Sequence, residues 1–193
     1  MEFDPAAFRR QVQAILDEHA RAFGLPDERH AVLRRQIANG DDIHSRRTFP
    51  GHVTTSAFIL DPRGERILLV HHRSLGRWLQ PGGHYEPPDD LPGSALREAV
   101  EETGMPGLTA DPWHQASGLP IDIDSHLIPA RPERDEPKHW HHDIRYVVRT
   151  EEDSAVHPDL REVHGAEWRD LHDLESIAPQ GLRNMRRLGL VRP

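Results

Sequence analysis

Residues 83–105 read GHYEPPDDLPGSALREAVEETGM, and no other segment limits the chain's possible folds and chemistry as tightly. A helix is predicted over about Gly93–Thr103, closed by Gly104 as the residue after its C-cap. On that helix Glu98, Glu101 and Glu102 fall at i, i+3 and i+4, so their carboxylates share one face. Like charges at this spacing repel, and a cation would relieve the repulsion. Three carboxylates completed by water suit Mg²⁺, a hard ion that prefers oxygen and keeps part of its hydration shell. Leu96, Ala99, Val100 and Thr103 occupy the other side of the helix and are expected to pack on a sheet. Arg97, four residues before Glu101, is placed to hold that carboxylate or a neighbour. The glycines of Gln80-Pro81-Gly82-Gly83 let the backbone approach a metal or a phosphate closely. Spacing alone also fits a solvated acidic helix face.

The surroundings supply the sheet. His52 to Leu60 is β-branched and apolar, Asp61-Pro62-Arg63-Gly64 reads as a turn, and Arg66 to His72 carries a buried strand, together a β-hairpin. Further strands are expected at Trp113–Gly118, Ile121–Ile128, Trp140–Arg149 and Val163–Trp168, with an exposed loop at 130–138. Helical pieces close the chain at Leu171–Ile177 and Pro179–Leu188. Before the sheet, Asp4-Pro5 starts a helix carrying Phe8, Val12, Ile15, Leu16 and Phe23. Gly24 and Pro26 end it, and a second helix is expected from Asp27 to about Ala38. The division is a helical extension over residues 1–47 and an α/β domain over 48–193.

Composition excludes several function classes. A net charge of −8 argues against binding long nucleic acids through their phosphates. The absence of cysteine removes disulfides, thiolate metal sites and a cysteine nucleophile. No signal-peptide pattern and no apolar run of the ~20 residues that span a bilayer are present, so a cytoplasmic location without membrane contact is expected.

Gly83, Asp89, Arg97, Glu98, Ala99, Glu101, Glu102, Gly104 and Met105 together resemble the Nudix box, Gly-x5-Glu-x7-Arg-Glu-U-x-Glu-Glu-x-Gly-U with U apolar; only the first glutamate departs, as Asp89. Leu69–His84 and Pro50–Ala57 are similar to the flanks of that box in bacterial Nudix hydrolases of unassigned substrate, so the likeness covers roughly residues 50–175. The resemblance implies an α/β/α sandwich around a mixed sheet, and hydrolysis of a pyrophosphate bond in a small nucleotide-like substrate by water attack on phosphorus. It further implies Mg²⁺ or Mn²⁺ on Glu98, Glu101 and Glu102 with the Gly83 carbonyl as a further ligand, Arg97 orienting a glutamate, and Glu101 or Glu102 taking the proton. Asp89 is one methylene short, and Glu86 is a neighbour that could compensate. Pro120, about fifteen residues past the box, lies where a proline in the family accompanies ADP-ribose hydrolysis.

Arg73, Arg77 and Arg145 are candidates to clamp phosphate, or are surface charge. Trp78 and Tyr85 either stack on a base or pack internally. In His139-Trp140-His141-His142-Asp143, alternation puts His139, His141 and Asp143 on one strand face. They could bind a transition metal, contact substrate through His141, or form a polar strand end. A second metal cluster would draw on His52, His84, His139, His141 and His142; the remaining histidines are expected at the surface. Two other functions compete: a non-catalytic nucleotide-sensing module, and an interaction protein in which residues 1–47 recruit a partner or form a homodimer.

Overall fold

The computed structural model describes residues 3–150, 155–161 and 163–192. Helix α1 (Pro5–Phe23) starts where the Asp4 carboxylate accepts the Ala6 N–H at 2.8 Å, and it stops at Gly24, whose φ of 65° suits glycine. The expected second helix is split. Asp27–His30 form a 3₁₀ turn, and α2 follows over Ala31–Asn39.

Eight strands form one mixed sheet. They are β1 (Gly51–Leu60), β2 (Arg66–His72), β3 (Arg77–Leu79), β4 (Gly82–His84), β5 (Thr109–Ala110), β6 (Asp122–Ile128), β7 (His139–Arg149) and β8 (Val163–Asp170). The central path runs β3-β2-β1-β7-β5; β4 pairs with β1, β6 with β7 and β8 with β2. The β1–β7 pair is parallel over ten residues, Gly51↔Trp140 to Leu60↔Arg149, and the other pairs are antiparallel. Helix α3 (Leu91–Thr103) covers one face through Ala99, against Ala57, Ile59, Leu68 and Val148. On the other face, Phe58, Leu60, Ile67, Leu69 and Val147 meet α5 (Leu174–Ile177) and α6 (Pro179–Arg187) through Leu174, Leu182 and Met185. The result is the α/β/α sandwich. The N-terminal helices share its core: Phe8, Val12, Leu16 and Leu33 pack with Val53, Tyr85, Ile123 and Ile144. No helix among the described residues is long and apolar enough to cross a membrane.

Three expectations need correction. Residues 113–118 are not a strand: 113–117 lie in α4 (Pro112–Ser117), because Asp111 accepts the Trp113 N–H at 2.9 Å and Pro112 opens the first turn, and Gly118 caps the helix at φ 71°. Those are the cap signals that also frame α1. On α3, Val100 does not pack on the sheet; it is 41% exposed while Glu98 and Glu102 are buried. The sheet-facing stripe runs through positions 91, 95, 98, 99 and 102, and Val100 falls outside it.

The third correction concerns histidine. His19, His30 and His114 are buried rather than superficial. A neutral imidazole is small enough for a core and can bridge two backbone groups. His114 does so, with Nδ1 2.7 Å from the Leu119 carbonyl and Nε2 accepting the Val147 N–H at 2.7 Å. Burial holds His19 and His30 down to about 4, from the usual 6.5. The unfolded chain therefore takes up protons near pH 6.5 and the folded chain only near 4, so stability falls as pH drops through that window. The expected loss at about pH 5 is on the order of 1 kcal/mol per ring, seen as a lower melting temperature than at about pH 7.5. An unchanged melting temperature would contradict it.

Candidate active site

Helix α3 is framed by Asp90, whose carboxylate accepts the Gly93 N–H at 2.7 Å, and by Gly104 at φ 62°. That frame sets Glu98 and Glu102 against β4, whose register with β1 is Thr55↔Gly83 and Ser56↔Gly82. The approach is close: a side chain at Gly82 would meet the β1 backbone, and one at Gly83 would have to push the Glu98 carboxylate aside. A Cβ on Gly83 would lie 2.5 Å from Glu98 Cδ and 2.7 Å from its Oε1, and one on Gly82 would lie 2.6 Å from the Thr55 carbonyl. The Gly82 N–H donates to Glu102 Oε2 at 3.2 Å.

Arg97 ties the acids together. Its Nε donates to Asp89 at 3.0 Å, its Nη1 to Glu98 at 2.9 Å and to Glu101 at 3.1 Å, and its Nη2 to the His84 carbonyl at 3.3 Å. Asp89 thus reaches the arginine despite its shorter side chain, and Glu86, exposed on the loop, is not needed for that contact. Burial alone would lower the Arg97 pKa; the Asp89 hydrogen bond and the Glu98 charge outweigh it and raise it, so the guanidinium stays charged. One guanidinium here faces Asp89, Glu98 and Glu101, with Glu102 beside them, leaving excess negative charge on an all-oxygen donor set. A hard divalent cation fits it. Gly83→Ala is expected to displace the Glu98 carboxylate and to weaken Mn²⁺ binding and turnover on the order of 10–100-fold, with the fold retained. A Mn²⁺ titration beside a thermal melt checks this, and unchanged affinity would remove Glu98 from the ligand set.

The cleft floor comes from one face of the β1–β7 pair. His52, Thr54 and Ser56 lie beside His141, Asp143 and Arg145, with the apolar Phe58 and Val147 continuing inward. Asp143 accepts from Ser56 Oγ at 2.8 Å, Gln80 Nε2 at 3.2 Å and Arg145 Nε at 2.8 Å. Arg145 also donates to Asp122 at 2.9 Å and Asp124 at 3.2 Å. Burial would lower its pKa, but the three aspartates raise it. Buried and held on all its nitrogens, Arg145 is a structural ion-pair centre, not the phosphate clamp its position suggested.

The two aromatic candidates also turn away. Tyr85 is 6% exposed, stacks on Phe8 with centroids 4.5 Å apart, and donates its hydroxyl to the Asp89 carbonyl at 2.8 Å. Trp78 lies between His71 at 5.1 Å and the Arg169 guanidinium at 5.1 Å, packed against the core. Arg73 does line the cleft, with Nη1 donating to the Leu160 carbonyl at 2.8 Å, and so do exposed Arg77 and half-buried His141. Arg46 and Arg131 line it as well. Neither was a sequence candidate. Arg131 belongs to the 130–138 loop, which carries a 3₁₀ turn at Pro132–Arg134, whereas nothing local marks Arg46. Pro120 is buried and is not part of the cleft wall, so the ADP-ribose hint has no geometric counterpart. The cleft measures about 1140 Å³, room for a nucleotide-sized ligand.

Residues 50–188 match the NUDIX domain family. A protein of Lactococcus lactis named probable DHNTP pyrophosphohydrolase is 30% identical over 100 residues, 52% of this chain and 56% of that protein. An m7GpppN-mRNA hydrolase of Bos taurus is 28% identical over 123 residues, 58% of this chain and 39% of that protein. The chain thus spans about half the length or less of these curated relatives. A C. elegans Ap4A hydrolase structure superposes with a TM-score of 0.54 at 18% identity, over 72% of this chain and 97% of that one, which shows a shared fold. The box residues, their setting on α3 and β4 and the family match agree: the chain belongs to the Nudix hydrolase superfamily.

Proposed function

We propose that this chain hydrolyses a phosphoric anhydride bond in a small nucleotide-type substrate, such as a nucleoside diphosphate linked to a second moiety of the ADP-ribose kind, with Mg²⁺ or Mn²⁺ held at the box. The observation that carries this reading is the buried pair Glu98 and Glu102 against Gly82-Gly83, opening into a cleft that also presents Arg46, Arg73, Arg77 and Arg131. The carboxylates of Glu98, Glu101 and Glu102 and the Gly83 carbonyl would hold the ion. When bound, it supplies Lewis acidity and neutralises charge on the pyrophosphate oxygens. Arg97 keeps Glu98 and Glu101 in place through its two Nη1 hydrogen bonds. These cleft-lining arginines orient the phosphate chain. Water adds to one phosphorus, its proton passes to Glu102, and the bond to the bridging oxygen breaks in line. The products are two phosphate monoesters, or a monophosphate and pyrophosphate.

The test is phosphate release, with a coupling phosphatase where needed, across nucleoside diphosphate derivatives and nucleoside triphosphates in Mg²⁺ or Mn²⁺. Metal-dependent turnover of one compound class is expected. Silence across the panel from folded protein that binds Mg²⁺ would favour the nucleotide-sensing alternative.

A further inference from the structure

Strand β4 divides the cleft. Position 83 faces the box carboxylates of α3, so position 84 points to the opposite side of the strand. There His84 meets His52 from β1 and His141 from β7, brought together by the registers His52↔His141 and Thr54↔His84. One ring nitrogen from each of the three lies within 4.8 Å of the others. The ring centroids are 4.9 to 5.4 Å apart.

The hydrogen bonding leaves His52 a lone pair within this cluster. His52 Nδ1 lies 3.4 Å from the Thr48 carbonyl, which places its proton on Nδ1 and a lone pair on Nε2. That Nε2 is buried and has no hydrogen-bond partner. His139 repeats the arrangement, with Nδ1 2.7 Å from the Pro137 carbonyl and Nε2 3.2 Å from His141 Nε2, so it braces His141. His142, one residue on, faces away and bonds Gln36 at 2.8 Å and Ser125 at 2.8 Å.

We propose that His52, His84 and His141 bind one first-row transition cation of the zinc class, at a site distinct from the box carboxylates. Three imidazoles without a thiolate select Zn²⁺, Co²⁺, Ni²⁺ or Cu²⁺ and not Mg²⁺. Metal–nitrogen bonds of about 2.0–2.1 Å in a tetrahedral site place the nitrogens roughly 3.3 Å apart, so modest ring rotations complete the site. Three protein ligands leave a fourth position, and all three histidines line the cleft, so that position is open to an anionic oxygen of whatever occupies it. Arg46 and Arg131 lie along the same cleft. The site stands apart from the anhydride reading, and loss of either leaves the other intact.

The experiment uses the full chain, stripped with chelator and held in excess Mg²⁺ to occupy the carboxylates. Zn²⁺ is titrated calorimetrically, and Co²⁺ is followed by its visible ligand-field bands. One equivalent should bind, with affinity reduced on the order of a hundredfold in His84→Gln and unchanged in Glu102→Gln. Should His84→Gln fail to fold, the imidazole ¹⁵N shifts of the wild type on Zn²⁺ addition decide, and His52, His84 and His141 should respond together. Absence of stoichiometric Zn²⁺ binding, binding lost in Glu102→Gln but kept in His84→Gln, or ¹⁵N changes confined to other histidines would each overturn the proposal.

Discussion

Glu102→Gln is expected to lower metal-dependent turnover by about 10²–10⁴-fold while the protein stays folded. Glutamine preserves the shape of this buried side chain, and its amide oxygen can still accept the Gly82 N–H that Glu102 accepts at 3.2 Å. What it removes is a negative charge and a proton acceptor, at the point where the helix comes closest to β4. The effect therefore belongs in kcat, with the melting temperature near that of the wild type. A rise in KM with kcat unchanged would mean that Glu102 contributes to binding alone. Exposed Glu101, held by Arg97 at 3.1 Å, is the natural comparison: a larger kcat loss in Glu101→Gln would move the base to that residue.

The largest expected effect on stability is that of Arg145→Met, a loss of about 3–5 kcal/mol. The guanidinium bridges Asp122, Asp124 and Asp143, of which Asp122 and Asp143 are themselves buried. Removing it leaves carboxylates in a poorly solvating interior, with Arg29 at 3.3 Å from Asp122 as a remaining partner. Burial already raises the Asp122 pKa against the pull of Arg145, so without the arginine this acid binds its proton at still higher pH. Part of the lost stability should then return as pH is lowered toward 5. Denaturant midpoints at two pH values measure both effects. A wild-type midpoint together with a raised KM would restore Arg145 as a phosphate clamp.

What the sequence reveals follows the range of the interactions. Glu98, Glu101, Glu102 and Arg97 are separated by less than two helical turns, so a single helix suffices to bring them together, and Arg97 reaches both Glu98 and Glu101. The Asp89 contact spans eight residues of loop and helix and is legible only through the family likeness. Hydrophobicity misleads on the same helix, where Val100 faces solvent and Glu98 and Glu102 face the sheet, because the site inverts the usual amphipathic order. Tyr85 looks like a base-stacking residue until α1 brings Phe8 against it from 77 positions away. Arg145 reads as a free cation because its partners Asp122 and Asp124 arrive through the β6–β7 register, which no local pattern encodes. The meeting of His52, His84 and His141 depends likewise on two strand registers. The α4 segment is different, since its cap signals, Asp111-Pro112 at the start and Gly118 at the end, stand in the sequence itself.

The central claim is that water cleaves a phosphoric anhydride at a divalent cation held by the box carboxylates. It is tested most directly by turnover of the best substrate in H₂¹⁸O, before and after chelation, with the products read by mass spectrometry. The account predicts one ¹⁸O in a single phosphate-bearing product, no turnover in chelator, and recovery on adding back Mg²⁺ or Mn²⁺. Turnover that persists in chelator, or cleavage that leaves every phosphate unlabelled, would contradict it.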